Sequence, residues 1–430
     1  MPVDAAKADA VLAQINADEL AELGRAVTDI PSPTGEEAAL ADFILDWYAR
    51  NGLKPIRQEV EAGRPNAVGI LKGQGTGLSL MFNGHMDTSY TGTDEDRLMT
   101  AQIEPESELR GTIVGNKVRG LGISNMKGGV AAFMMAGAAI ARCGLKLQGD
   151  LILAAVVGEI SRSPVGPYQT RSYRGEGTGT RHLLTHGIHS DYAVVADGSD
   201  LNIVWAQNGV VQAKITTFGL PESAWGSRRS DQPMDKHNAI VKMMRIVDAI
   251  ERWGARFEDE YIYESATGPL YPKVNIGAIE GGVPYRPNYY PGVCSLYVDV
   301  RFPPQVRPVQ VQYEIERVLS ELGVEYEVEL YKSLLGHEGK GIEPLVASLE
   351  EIHQFLFKTK LEPEKPGRAS IWTDTNVYNE LGIPAVKIGP RGKRIGPRAE
   401  ELAVEEMVKA AQIYALVALD ICDRPRPARG

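Results

Sequence analysis

The sequence predicts an α/β protein with a core domain built on a largely parallel, buried sheet and interrupted by an inserted ferredoxin-like (βαββαβ) domain. Three observations carry this. Short unbroken apolar runs alternate with helical stretches through residues 1–208, the pattern of a sheet covered on both faces. Between 209 and 333 the order becomes strand, helix, strand, strand, helix, strand. From 334 to 430 the first style returns. A chain of 430 residues also favours two domains on length alone.

The elements follow in order. A helical pattern over 18–27 ends at Ile30-Pro31-Ser32-Pro33-Thr34-Gly35-Glu36, where Thr34 is placed to cap a second helix reaching about Asn51. Apolar runs at 67–71, 78–82, 151–157 and 192–196 read as strands, and 127–143 as a helix. In the insert, 210–218, 272–279, 293–302 and 326–331 read as strands. Its helices fall at 237–256 and 308–322, with Pro308 suited to a first turn. Helices at 344–358 and 404–421 flank a strand at 385–388. Only the tail 424–430 reads as disordered, and there is no internal repeat.

Bulk properties exclude several classes. The net charge of −10 speaks against a nucleic-acid surface, and an anionic substrate would need a local arginine to overcome that field. No apolar run reaches bilayer length, and the polar, acidic first residues do not form a secretory signal, so no membrane association is expected. Cys143, Cys294 and Cys422 are scattered and odd in number, which fits reduced thiols and a cytoplasmic location.

The chemistry gathers at strand ends. His85 follows the run 78–82, Glu159 follows 151–157, and Asp197 follows 192–196. In open α/β sheets the carboxyl ends of strands line the ligand crevice. Imidazole is a common metal ligand, and Asp87, two residues on, is placed to hold the His85 ring in the tautomer that frees its other nitrogen. Asn125 lies just before a helix in Ser124-Asn125-Met126-Lys127-Gly128-Gly129, where it can either bind metal or cap the helix. A rival group, His182, His186 and His189, has helix-face spacing. It lacks a glutamate between the histidines and reads as a loop over the crevice.

These motifs, with Gly281-Gly282-Val283-Pro284, Val298-Asp299-Val300-Arg301 and Gly382-Ile383-Pro384-Ala385-Val386, resemble the metallo-aminoacylase family of acetylornithine deacetylase and succinyl-diaminopimelate desuccinylase (peptidase family M20-like). The resemblance runs from about Ile30 to Ile421. It implies a catalytic domain (1–208 and 334–430) with a two-metal centre and an inserted lid domain (209–333) that often dimerises, hence a homodimer or higher homo-oligomer. The chain departs from the family pattern in a consistent way. The bridging aspartate falls on Asn125, the paired glutamates on Glu159-Ile160, the late ligand histidine is missing from 391–401, and the lid histidine falls near Trp225.

The ligands belonging to one metal are lost and those of the other are kept. The resemblance therefore implies one divalent transition metal per chain, manganese, zinc or cobalt, with iron also permitted. Its expected ligands are His85, Asp197 and the Asn125 oxygen. Glu159 becomes the proton shuttle and Asp87 its catalytic neighbour. Arg301 is expected to grip a substrate carboxylate, with Arg286 and Asn288 as further candidates, and Thr373 and Asp374 line the site. The implied activity is hydrolysis of a C–N bond in a small carboxylate-bearing molecule. Loss of the oxyanion histidine and of the second metal favours an electron-poor aryl amine. In this respect the chain resembles an atypical, nitroanthranilate-hydrolysing branch of the family, which implies 5-nitroanthranilate as substrate and 5-nitrosalicylate and ammonia as products. N-acyl amino acid or dipeptide cleavage is the alternative, and a non-catalytic ligand-binding relative is the third reading.

Overall fold

Buried side chains alternate along the central strands and so decide the architecture. In the strand Leu80–His85, Leu80 and Phe82 enter one apolar core while Met81 enters another. Leu151–Val156 divides the same way, with Leu151, Leu153 and Ala155 on one side and Ile152, Ala154 and Val156 on the other. Strands apolar on both faces must be covered on both. A computed structural model describes residues 3–225, 228, 230–231 and 234–426. The helices Gly128–Arg142 and Val404–Asp423 cover one face of the sheet, and Thr178–Thr185 and Thr375–Glu380 the other.

The sheet has six strands in the order Lys54–Glu61, Arg64–Leu71, Leu151–Val156, Leu80–His85, Tyr192–Val195, Ala385–Lys387. The last four run parallel, and the first two are antiparallel. Parallel pairing brings the carboxyl ends of the His85, Leu151–Val156 and Tyr192–Val195 strands to one edge. His85, Glu159 and Asp197 leave the sheet there.

Two local expectations are corrected. The edge strand Lys54–Glu61 does not register as a strand in the sequence because it is charged and largely solvent-facing. The second helix begins at Ala38, not at Thr34. The Thr34 hydroxyl donates to Asp87 Oδ2 at 2.8 Å instead of capping.

The chain forms two compact units. The first comprises Met1–Trp205, Gly339–Glu364 and Thr373–Gly430, and the second Ala206–Glu338 with Lys365–Trp372. The second unit is thus wider than 209–333 at both ends and takes in a short segment from further along the chain. Its four-stranded sheet has the order Lys273–Gly281, Val293–Phe302, Gly209–Phe218, Tyr326–Leu334, antiparallel throughout. The helices Ala239–Glu260 and Pro308–Ser320 pack on it through Met243, Ile246, Trp253, Phe257, Val311 and Ile315, which completes the βαββαβ pattern. Among the described residues no helix is long and apolar enough to cross a membrane.

Candidate active site

His85 is the last residue of its strand and is almost fully buried. Its Nδ1 donates to the main-chain oxygen of Asp87 at 2.9 Å, which fixes the ring and turns Nε2 toward the crevice. There Nε2 lies 3.0 Å from Asn125 Oδ1 and 3.5 Å from Glu159 Oε2. The sequence assigned the ring-holding task to the Asp87 carboxylate, but Oδ1 of that group stands off at 3.5 Å from Nδ1. The carboxylate instead accepts from the Glu159 N–H (3.0 Å), the Ile160 N–H (3.1 Å) and the Thr34 hydroxyl. Asp87 therefore ties the end of the histidine strand to the turn that carries Glu159.

Asn125 does not cap a helix. The helix Gly128–Arg142 starts three residues later with Lys127 at its cap position, and Asn125 has non-helical backbone angles (φ −132°, ψ 92°). Its side chain faces His85 and reaches Ser89 Oγ at 3.4 Å. Glu400 holds this turn from below by accepting the Ser124 N–H at 2.9 Å. Nothing in the spacing of Glu400 announces this, since the contact joins segments far apart in the chain.

Negative charge is in excess here. Burial favours a neutral His85 ring, but Glu159, Asp87, Asp197 and Asp374 outweigh it and hold the imidazole at about 9. Burial pushes Glu159 well above the usual carboxylate range; the His85 charge opposes this, and Asp374, Asp197 and Asp87 reinforce it. Asp374 is raised to about 7, chiefly by burial and against the Thr180 hydroxyl bond. Its Oδ2 accepts from Thr180 Oγ1 at 2.6 Å, and Thr180 in turn accepts from Asn83 Nδ2 at 2.9 Å, while Asp374 Oδ1 has no hydrogen-bond partner among the described residues.

This surplus is what a bound divalent cation would offset. Among the described residues no three His, Cys, Asp or Glu side chains gather into a metal-holding group. A cation would then need the Asn125 amide oxygen beside His85 and the half-buried Asp197, with water or substrate completing its shell. One imidazole and two oxygen donors beside an open buried carboxylate oxygen fit one such ion.

The remaining candidates divide between the units. Thr373 and Asp374 are buried in the first unit, close in sequence to the Thr180 bond. Arg301, Arg286, Asn288 and Trp225 belong to the second. Arg301 pairs with Asp299 through Nε (2.6 Å) and Nη2 (2.9 Å). Arg286 lies 4.2 Å over the Tyr289 ring, and Trp225 is exposed. His182 and His186 stack at 3.7 Å, and residues 186–191 lead into the start of the Tyr192–Val195 strand. They lie at the opposite end of that strand from Asp197, so the loop does not cover the crevice. Where a late ligand histidine would fall, Arg391 donates through Nε to the Gly198 oxygen at 3.1 Å. It also pairs with buried Glu364 at 2.7 Å.

The model of peptidase family M20/M25/M40 matches residues 81–420. The chain belongs to this family. It is 27% identical over 95% of its length, and 96% of the relative's, to the N-formyl-4-amino-5-aminomethyl-2-methylpyrimidine deformylase of Bacillus subtilis. It is 23% identical over 77% of its length, and 81% of the relative's, to a succinyl-diaminopimelate desuccinylase of Buchnera aphidicola. Among solved structures, a Bacillus subtilis protein described as a dinuclear metal-binding peptidase of the M20 family superposes with a TM-score of 0.62. That match has 15% identity and covers 94% of this chain and 97% of the other. As an M20 family member the chain is an enzyme, a hydrolase of the amidohydrolase kind. None of these family relatives is named for a nitroaryl amine, so the nitroanthranilate expectation gains no support from them.

Proposed function

We propose that this hydrolase uses one divalent cation, held by His85, Asp197 and the Asn125 oxygen, to break a C–N bond in a small carboxylate-bearing substrate. The approach of Glu159 Oε2 to within 3.5 Å of His85 Nε2, in a crevice crowded with carboxylates, carries the reading. A bound cation would supply Lewis-acid polarisation of water and of a substrate oxygen. Glu159 takes the proton of the attacking water and returns it to the leaving nitrogen, a task suited to a carboxylate whose proton affinity burial has raised well above the usual range. Asp87 positions it by gripping its N–H. Arg301, Arg286 and Asn288 are the groups proposed for the substrate carboxylate. Arg301 would share its guanidinium with Asp299. Thr373 and Asp374 line the site, and a cytoplasmic homodimer of core and lid domains completes the picture.

Two substrate classes compete. Cleavage of an N-acyl or N-formyl amide is supported by the names of the relatives. Hydrolytic deamination of an electron-poor aryl amine such as 5-nitroanthranilate is supported by the chain's own residues. Ile160 replaces a ligand glutamate, 391–401 holds no histidine, and Trp225 stands where an oxyanion histidine is expected. A ring that stores the developing charge needs fewer oxyanion donors. The deciding experiment sets release of ammonia from aryl amines beside release of acid from N-formyl and N-acyl amines, with manganese, zinc and cobalt each supplied. Turnover in one panel selects the class, and no turnover in either overturns the proposal.

A further inference from the structure

A cavity of about 480 Å³ opens in the first unit, lined among others by Pro31, Thr88, Thr91, Leu109, Lys127 and Tyr173. None of His85, Asn125, Glu159 or Asp197 lines it. Its volume lies in the range of small-molecule sites, roughly 300–1,000 Å³. Its walls combine apolar surface from two prolines and two leucines with threonine and tyrosine hydroxyls. Lys127 is only 1% exposed, and burial lowers its ammonium to about 7, so a buried amino group lies at this wall with no anion to hold its charge.

Among the described residues Lys127 has no carboxylate against it, unlike buried Lys387, which pairs with Glu364 at 3.0 Å. Its Nζ makes one hydrogen bond, to the main-chain oxygen of Ile30 at 2.8 Å. An ammonium has three N–H donors, and a buried charge is costly until it is paired. The cavity's own acids do not reach it as partners. Asp29 is held by Arg110 at 2.7 Å, and Glu36, Glu95 and Glu106 are exposed. Arg162, also in the lining, makes no ion pair among the described residues. We infer that this cavity is a second small-molecule site that takes a compact monocarboxylate, its carboxylate on Lys127 and its apolar body against Leu109 and Leu121.

The site adjoins the catalytic machinery without sharing it. Thr34, in the cavity wall, donates to Asp87 Oδ2 at 2.8 Å, and the Thr88 N–H donates to the Ser32 oxygen at 3.1 Å. An occupant therefore rests on the residues behind Asp87, which makes the cavity an effector or product site and not the crevice itself.

Calorimetric titration of the full-length, metal-free protein with sodium benzoate tests this, with benzamide as the neutral control. Benzoate should bind and benzamide should bind at least about tenfold more weakly, the loss expected for one charge-assisted hydrogen bond. Lys127→Met should weaken benzoate by a similar factor, while His85→Ala should leave it unchanged. Ser172→Trp, which fills the cavity while removing no hydrogen bond seen here, should block binding, and it serves if Lys127→Met does not fold. No benzoate binding to the wild type overturns the inference. So does binding that His85→Ala abolishes and Ser172→Trp leaves intact, since that places the anion in the crevice.

Discussion

The Asp87 carboxylate accepts the main-chain N–H of Glu159 at 3.0 Å, so the residue two beyond the histidine positions the turn that carries the glutamate. The same group accepts from Ile160 and Thr34 and is completely buried. Asp87→Ala strands three donors in the interior and should cost on the order of 3 kcal/mol in urea unfolding. Asp87→Asn keeps one acceptor oxygen and should cost less. Turnover should fall in both, because the Glu159 turn loses its anchor. An unchanged unfolding midpoint in Asp87→Ala would remove the positioning role.

Glu159→Gln separates chemistry from structure. Glutamine preserves shape and removes one of the crowded negative charges, so the metal-free fold should be no less stable than wild type. Turnover should drop by roughly 10²–10⁴-fold, the range for a lost general base. A loss within about threefold would rule Glu159 out as the proton shuttle.

The crowding of charge also sets a pH dependence in the metal-free chain. His85 is raised from 6.5 to about 9, so its charged form favours the folded state; that stability is complete below about 6.5 and lost as pH rises through about 9. Asp374 is raised from 3.8 to about 7, so its neutral form favours folding and its contribution is lost as pH rises through about 7. Both slopes have the same sign. In chelator, the melting temperature should fall from pH 6 to pH 9. Added manganese should reduce that fall, because binding the ion requires an unprotonated His85 ring and affinity therefore increases with pH. A melting temperature that rises with pH in chelator would contradict the charge balance.

Much of this was legible in the sequence, for physical reasons. Apolar runs report strands buried on both faces, so a buried, largely parallel sheet and the strand-end placement of His85, Glu159 and Asp197 follow from patterning, while the strand order and the antiparallel pairing of Arg64–Leu71 do not. Lys54–Glu61 escaped because an exposed edge strand carries no apolar signature. Arg64 and Glu37 form an ion pair with no exposed side-chain surface, yet in sequence they read as ordinary surface charges. The Thr34 and Glu400 contacts escaped for a different reason. Each satisfies a donor or acceptor brought near only by the fold, and capping rules see neighbours in sequence only.

The count of metal ions tests the departures from the family pattern. With Ile160 in place of a ligand glutamate and no histidine in residues 391–401, plasma emission analysis of dialysed protein should find one equivalent of transition metal per chain. His85→Ala should bind that ion at least about tenfold more weakly, the minimum for loss of a ligand or its support. Two tightly held equivalents would refute the single-ion centre.

The turn before Glu159 gives the sharpest structural test. Gly158 has φ +64°, and a methyl there would stand 2.7 Å from the Arg174 main-chain oxygen and 2.7 Å from Arg64 Nη2. Arg64 is committed to buried Glu37 and cannot retreat cheaply. Gly158→Ala therefore adds a collision to the backbone strain of a left-handed residue, which alone costs roughly 1–2 kcal/mol. Gly75 supplies the control, with φ +82° and open space around it, so that Gly75→Ala meets the strain alone. Chemical unfolding should show Gly158→Ala to be clearly the more destabilised of the two, and only that variant should lose turnover, since relief of the collision displaces Glu159. Equal stability and equal activity in the pair would mean that the turn tolerates movement and does not position the glutamate.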